Sequence, residues 1–411
     1  MRREPTRRRS VTLTTSENTT VSAMSLHTVS QRIITQAVRE LWPDKKVVPG
    51  PRCPSVTSYV CRVTVDGEEL IAKYSWLGMS LVSLLRGAGG TWAEVQDAQR
   101  AYVQSADLLT AREAQHLEFL RRLGEPHVCE TAGLHRGVLL TRMVAGTPLI
   151  AELAARPWET GALLDEVLLV LSDLHGRVGA DRLRAAAPIG ERSVVGVFRR
   201  KFDVMSSRAY LRSLGQGRAL RDHERQEIVD LVGTAVWRLI RMADAISSQR
   251  GRLVFGDLKP EHVCIEGARL TFIDPALQRA AGPQPDIAKL TGRALLLAVG
   301  HREPNAGQQI VQGVASTLAR HVAGLPERER AGRLREVMVL WLMDTVNILS
   351  TCLSAPQGLL LAPHQRSLVA QARMVAGVVD RVSALLLGAT SGPRLLDAVF
   401  SEVEHTAGRV R

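Results

Sequence analysis

Regular patterning begins over residues 26–41 (LHTVSQRIITQAVREL), where apolar side chains recur three and four positions apart, predicting an amphipathic helix that ends ahead of Pro43. The pattern then switches to strict alternation. Residues 58–65 and 69–74 alternate apolar and polar side chains on either side of Asp66-Gly67, and an Asp-Gly pair between two such runs predicts a β-hairpin. An insertion over 76–91 separates it from a long helical pattern that reaches Leu123 and stops at Gly124 and Pro126. Leu109, Glu113, Leu117 and Leu120 share one face of that pattern, so Glu113 is a carboxylate in an apolar stripe, costly unless paired. One further strand is expected within 137–149.

Beyond Leu149 the patterning is mostly helical, over 163–175, 222–248, 286–299 and several stretches of 308–406, with no solenoid repeat. One hairpin interrupts it: residues 263–265 and 270–273 alternate around Glu266-Gly267. The most apolar stretch, 337–355, carries Asp344 and Asn347, which marks a buried helix rather than a membrane span. The fold class expected is α+β, with a tail over 1–24, a small strand-rich unit over 25–145 and a larger helical unit over 146–411. A cleft between two such units is the natural ligand site.

Composition changes this picture little. Of 411 residues 45% are hydrophobic and 4% aromatic, so the core rests on Leu, Val and Ala. The formal charge of +12 is mostly arginine, without a stripe of interleaved basic and aromatic residues, so neither nucleic acid nor a membrane is expected as partner. Five cysteines (Cys53, Cys61, Cys129, Cys264, Cys352) form no CxxC pair, which argues against a zinc site or disulfide framework and for a reducing, cytoplasmic setting. The basic, Ser/Thr-rich N-terminus lacks the apolar core of a secretory signal and reads as disordered.

The chemistry concentrates in VFGDLKPEHVCIEGARLTFIDP, residues 254–275. Gly256 lets the chain turn Asp257 out of a loop, Lys259-Pro260 stiffens the next turn, and the hairpin returns Asp274 toward His262 and Asp257. Two carboxylates brought together repel unless a cation lies between them, and with Lys259 beside them the cluster suits a polyanion with a divalent metal: phosphate chemistry.

GDLKPEH resembles the catalytic loop of the protein-kinase-like superfamily, and FGDLKPEHVCIEGARLTFID is most similar to its aminoglycoside-phosphotransferase-like branch. The resemblance spans roughly residues 45–300 and implies a bilobal kinase-like fold using ATP with Mg2+, or Mn2+, as cofactor. It implies that Asp257 orients and deprotonates an acceptor hydroxyl, that Asp274 binds the metal on the ATP phosphates, and that Lys259 steadies the transferred phosphoryl group. Upstream, Lys73 in ELIAKYS resembles the lysine that holds ATP phosphates, with Glu113 as its partner. GVLLTRMVAG resembles the hinge, where Thr141 to Met143 would meet adenine through the backbone, and Asp286 matches a carboxylate that braces the catalytic loop. His175, in LSDLHG, is expected to be structural.

Three features depart from the pattern. No GxGxxG or GxxxxGK[ST] is present, so Ser55 and Thr57 of PSVTSYV would cover the phosphates. Phe255 replaces a histidine at a packing position. His262 occupies the place of a metal-binding asparagine, and imidazole suits manganese or zinc better than magnesium. The acceptor implied is a small molecule such as an antibiotic, sugar or other metabolite. A peptide substrate, a nucleotide-binding scaffold without activity and a pathway partner protein stand as alternatives.

Overall fold

The computed structural model describes residues 21–176, 192–203, 207–246, 251–301, 303–388 and 393–407. The expected tail lies outside the described residues as far as residue 20; Val21 is already buried, and the Ser22 Oγ accepts from the Ser25 N–H at 3.0 Å to cap α1 (Ala23–Leu41). The helix lays Leu26, Ile34, Ala37 and Val38 against a five-stranded antiparallel sheet, ordered β1 (Val47–Cys53), β2 (Tyr59–Val65), β3 (Glu68–Tyr74), β5 (Val138–Arg142), β4 (Thr131–His135).

The β2–β3 hairpin turns where the sequence places it. Asp66 and Gly67 both have positive φ, 50° and 87°, the backbone that fits the right-handed twist of a two-residue hairpin loop. In β2 the alternation is complete: Tyr59, Cys61, Val63 and Val65 face the core. Strands β1 and β4 of this sheet are not legible in the sequence. β1 contains Pro49, Gly50 and Pro51, and its register with β2 shifts between Pro49 and Arg52; proline is tolerated there because the strand has a neighbour on one side only. After a short helix in the insertion, α2 (Leu81–Leu85), the helical pattern up to Leu123 proves to be two helices, α3 (Trp92–Val103) and α4 (Leu109–Leu123). Thr91 and Glu94 form a reciprocal cap at the start of α3, and the chain re-enters helix where the Leu109 N–H donates to the Tyr102 hydroxyl at 2.9 Å.

The remainder is mainly helical, α+β overall and bilobal, with two apolar cores. One core lies between α1, the sheet and α3. The other gathers the helices Asp222–Ala243, Gln284–Gly300, Glu327–Ser354 and Ala372–Leu387. Both cores cross residue 145: Leu117, Leu120 and Leu139 pack with the helical core, while Ala355, Leu359 and Leu361 pack back on the sheet side. These crossings tie the two cores together. Among the described residues, Glu327–Ser354 is the one helix long and apolar enough to cross a membrane, but 89% of its apolar window is buried in the protein. The hairpin Val263–Glu266 (β8) and Arg269–Phe272 (β9) is present too, with β6 (Thr147–Pro148) paired to β8, while β7 (Arg252–Val254) pairs with β10 (Gln278–Ala280).

Candidate active site

Strand alternation aims Lys73. Leu70, Ala72 and Tyr74 of β3 point into the sheet-side core, so Lys73 emerges on the other face, toward the cleft. Its Nζ donates to Glu113 Oε2 at 2.6 Å and to Asp274 Oδ1. The carboxylate in the apolar stripe of α4 thus has its partner. Burial alone would lower the Lys73 pKa, but Asp274 and Glu113 outweigh it and hold the ammonium charged. One cation serves two acids. Burial pushes Glu113 up, to about 7, whereas at Asp274 the attraction of Lys73 overcomes burial and holds the carboxyl below its usual range.

The catalytic-loop stretch is held from behind. Asp286 opens the Gln284–Gly300 helix and is fully buried; its carboxylate accepts from the backbone N–H of Phe255 and of Gly256, each at 2.7 Å, and from His175 Nε2 at 2.9 Å. Gly256 has φ of 87°, and a Cβ there would lie 1.9 Å from the carbonyl oxygen of Ala276. Only glycine fits this turn. Phe255 is buried against Phe272, ring centroids 5.7 Å apart, as a packing residue. The loop then presents Asp257 to the cleft.

Around Asp257 the charges alternate. Lys259 Nζ donates to Asp257 Oδ2 at 2.6 Å and Lys289 Nζ to Oδ1. Burial would raise the Asp257 pKa; Lys259 and Lys289 more than reverse this and keep it ionised well below the carboxylate range. His262 Nδ1 lies 3.0 Å from the carbonyl oxygen of Asp257 and must therefore donate to it. That leaves the Nε2 lone pair of a neutral ring facing Asp274 Oδ2 at 3.5 Å. Burial lowers the His262 pKa and favours this neutral form. Asp274 has φ of 59°, a left-handed backbone that turns its carboxylate back to the histidine. Ligand atoms of Asp257, His262 and Asp274 all lie within 4.8 Å of one another. Two acceptors aimed at each other without a proton fit a divalent cation.

A cavity of about 1450 Å³ opens from this cluster and is lined by Thr57, Lys73, Glu113, Asp257, Lys259 and Asp274, among others. The remaining expected residues are placed differently. Ser55 Oγ accepts from the N–H groups of Thr57 and Ser58 at 3.3 Å, shaping the loop before β2. Thr141 and Met143 do not line the cavity: Thr141 pairs with Ile71 and Thr131 in the sheet, and the Met143 N–H donates to Glu69 O at 3.4 Å. Sequence reading missed Lys289, Arg293 and Asp344. Arg293 Nε and Nη2 bind Asp344 Oδ2 at 3.0 and 2.9 Å, and Lys289 lies 3.9 Å from Asp344 Oδ1. Two signals were available: Lys289 and Arg293 share a helix face with Asp286, and an acid within an apolar helix requires a buried partner.

No protein-family model matches the chain, and no curated protein matches it in sequence. Among solved structures, it is similar to the aminoglycoside phosphotransferase APH(4)-Ia in ternary complex with ADP and hygromycin B (12% identity, TM-score 0.47, covering 85% of this chain and 98% of that one). It is also similar to a choline/ethanolamine kinase family protein from Mesorhizobium loti (15%, TM-score 0.42, 87% and 92%). A Plasmodium vivax ethanolamine kinase shows the same degree of likeness (11%, TM-score 0.46, 88% and 89%).

Proposed function

We propose that the chain is an ATP-dependent phosphotransferase that moves the γ-phosphoryl group of ATP to a hydroxyl of a small molecule. The observation that carries this reading is the position of Lys73. A lysine from the sheet, held between a helix carboxylate and a carboxylate seventeen residues beyond a loop acid, is a site built for polyphosphate. In this reading Lys73 leaves Asp274 for the phosphates while Glu113 retains it. Asp257 accepts a hydrogen bond from the acceptor hydroxyl and takes its proton as the oxygen–phosphorus bond forms, the bond to the β–γ bridging oxygen breaks and ADP leaves. Lys259 and Lys289 keep Asp257 ionised and stand beside the equatorial oxygens, where charge develops. Lys259 exchanges its bond to Asp257 for one to the phosphoryl group.

Asp274 and His262, with Asp257, would hold the divalent ion that screens the phosphate charges. Thr57 would cover the phosphates from the loop before β2.

The test is label transfer from γ-labelled ATP, with Mg2+ or Mn2+, into separate pools of hydroxyl metabolites and of peptides. Label in metabolites that falls by about 10²-fold or more in Asp257→Ala supports the reading. Label in peptides alone would reassign the acceptor. ADP binding without label in either pool would make the chain a nucleotide-binding scaffold, and full activity of Asp257→Ala would overturn the site.

A further inference from the structure

The cavity does not end at the catalytic loop. From Asp257 it continues past Lys289 and Asp344 along the Glu327–Ser354 helix, whose Asp344, Asn347 and Thr351 line one wall. Seven residues of helix separate the first from the last, about 10 Å at the usual rise. Two cations stand beside this wall, the half-buried Lys201 and the exposed Arg86, and neither makes a salt bridge among the described residues.

Lys201 Nζ donates to the Asn347 carbonyl and Oδ1, both at 3.0 Å, and to Thr351 Oγ1 at 2.8 Å, all uncharged acceptors. It lies 5.3 Å from the ring centroid of Tyr210, and the Arg86 guanidinium lies 5.2 Å from the same centroid. Arg86 Nη2 donates to Ser213 Oγ at 2.8 Å. Two cations gathered at one aromatic ring repel each other. The acids of the cavity are engaged elsewhere. Glu113 and Asp274 are bound to Lys73, Asp257 to Lys259 and Lys289, and Asp344 to Arg293, while the exposed Asp107 acts on Arg192. Arg112 also lines the cavity, and its Nε is buried without a hydrogen-bond partner. A half-buried ammonium without an anion is costly, and here desolvation pulls the Lys201 pKa down to about 7.

We propose that the acceptor carries, besides its reactive hydroxyl, an anionic group such as a carboxylate or phosphate that binds between Arg86 and Lys201. This rests on the phosphotransferase reading for the hydroxyl, whereas the anion site stands on the cavity alone. A cationic acceptor, an amino sugar or a quaternary amine, would meet like charge there.

The experiment compares matched hydroxyl compounds bearing carboxylate or phosphate, no charge, or an amine, with label from ATP as readout. Anionic compounds should have kcat/KM about 10- to 100-fold above their neutral and amino counterparts, the worth of one charged contact. Lys201→Met and Arg86→Met should each remove that preference by raising KM with kcat little changed, and Lys201→Arg should retain part of it. Neutral or amino compounds labelled as well as anionic ones would overturn the proposal while leaving the phosphotransferase reading intact. If no pool takes label, thermal denaturation with saturating ADP and added glycerate or glycerol 3-phosphate decides. Stabilisation lost in both variants, each checked for native circular dichroism, supports the anion site, and no stabilisation of the parent chain overturns it. Failure to bind ADP removes the phosphotransferase reading instead, and the same anion titration without nucleotide then decides the site.

Discussion

Asp286→Asn tests the support of the catalytic loop with a change of two atoms' chemistry and almost no change of shape. The wild-type carboxylate accepts three hydrogen bonds at zero exposure, two at Oδ2 from the Phe255 N–H and His175 and one at Oδ1 from the Gly256 N–H. An amide offers one acceptor oxygen and two N–H donors. With its oxygen in the Oδ2 place, the NH2 group opposes the Gly256 N–H; with the oxygen in the Oδ1 place, it opposes the Phe255 N–H. Either way one buried backbone donor is left unsatisfied, costing about 1–3 kcal/mol, and the surviving bonds lose the strength lent by charge, about 1 kcal/mol more. The variant should therefore unfold with stability reduced by about 2–4 kcal/mol in a urea titration monitored by circular dichroism. Because Phe255 and Gly256 lead directly into Asp257, kcat should fall by more than tenfold, while affinity for ADP, read by calorimetry, changes little. A urea midpoint and kcat both within error of the parent would refute the argument that Asp286 positions the loop.

Gly256→Ala should be more severe, because the added Cβ would meet the Ala276 carbonyl and the backbone is at positive φ; a loss of about 3 kcal/mol or more in the same titration is expected, and an unchanged midpoint would contradict the close approach. For Lys201 the sign with pH is definite. Its folded pKa, about 7, lies below the free lysine value of 10.5, so the native state binds fewer protons than the unfolded one between these values, and stability rises with pH across that window. Buried beside Arg86 and Cys352, it should give the parent chain about 2 kcal/mol of stability relative to Lys201→Met between pH 7 and 9; a difference between the two that is flat with pH would refute the uncompensated charge. His262→Asn should lower affinity for Mn2+ about tenfold in the presence of ADP, followed by electron paramagnetic resonance, with a smaller effect on Mg2+; equal effects on both ions would show that the imidazole is not a ligand.

Local chemistry was legible in the sequence wherever the determining contacts are close along the chain. The Asp66-Gly67 hairpin, the hairpin at Glu266-Gly267 and the buried helix around Asp344 follow from period and turn chemistry alone. The Glu113–Lys73 pair was legible for a different reason: a carboxylate in an apolar face requires a cation, and few lysines stand in the strand-rich part. Strand β1 was hidden because its prolines and glycine carry no alternation, and its pairing is supplied by β2. The break between α3 and α4 was hidden because a hydroxyl from Tyr102, not a proline or glycine, receives the new helix start.

The cast of the candidate site was thus written in the chain, and its charge state was decided in space. Sequence places Asp257, Lys259, His262 and Asp274 around the two ends of one hairpin. Tertiary packing adds Lys289 from one helix to Asp257, sets Arg293 on Asp344, and leaves Lys201 and Arg86 facing the same cavity without a salt bridge among the described residues. The Lys289–Asp257, Arg293–Asp344 and Lys73–Asp274 pairings join residues 32, 51 and 201 positions apart, beyond the reach of any local pattern, because electrostatic complementarity acts over ångströms of space and takes no account of distance along the chain.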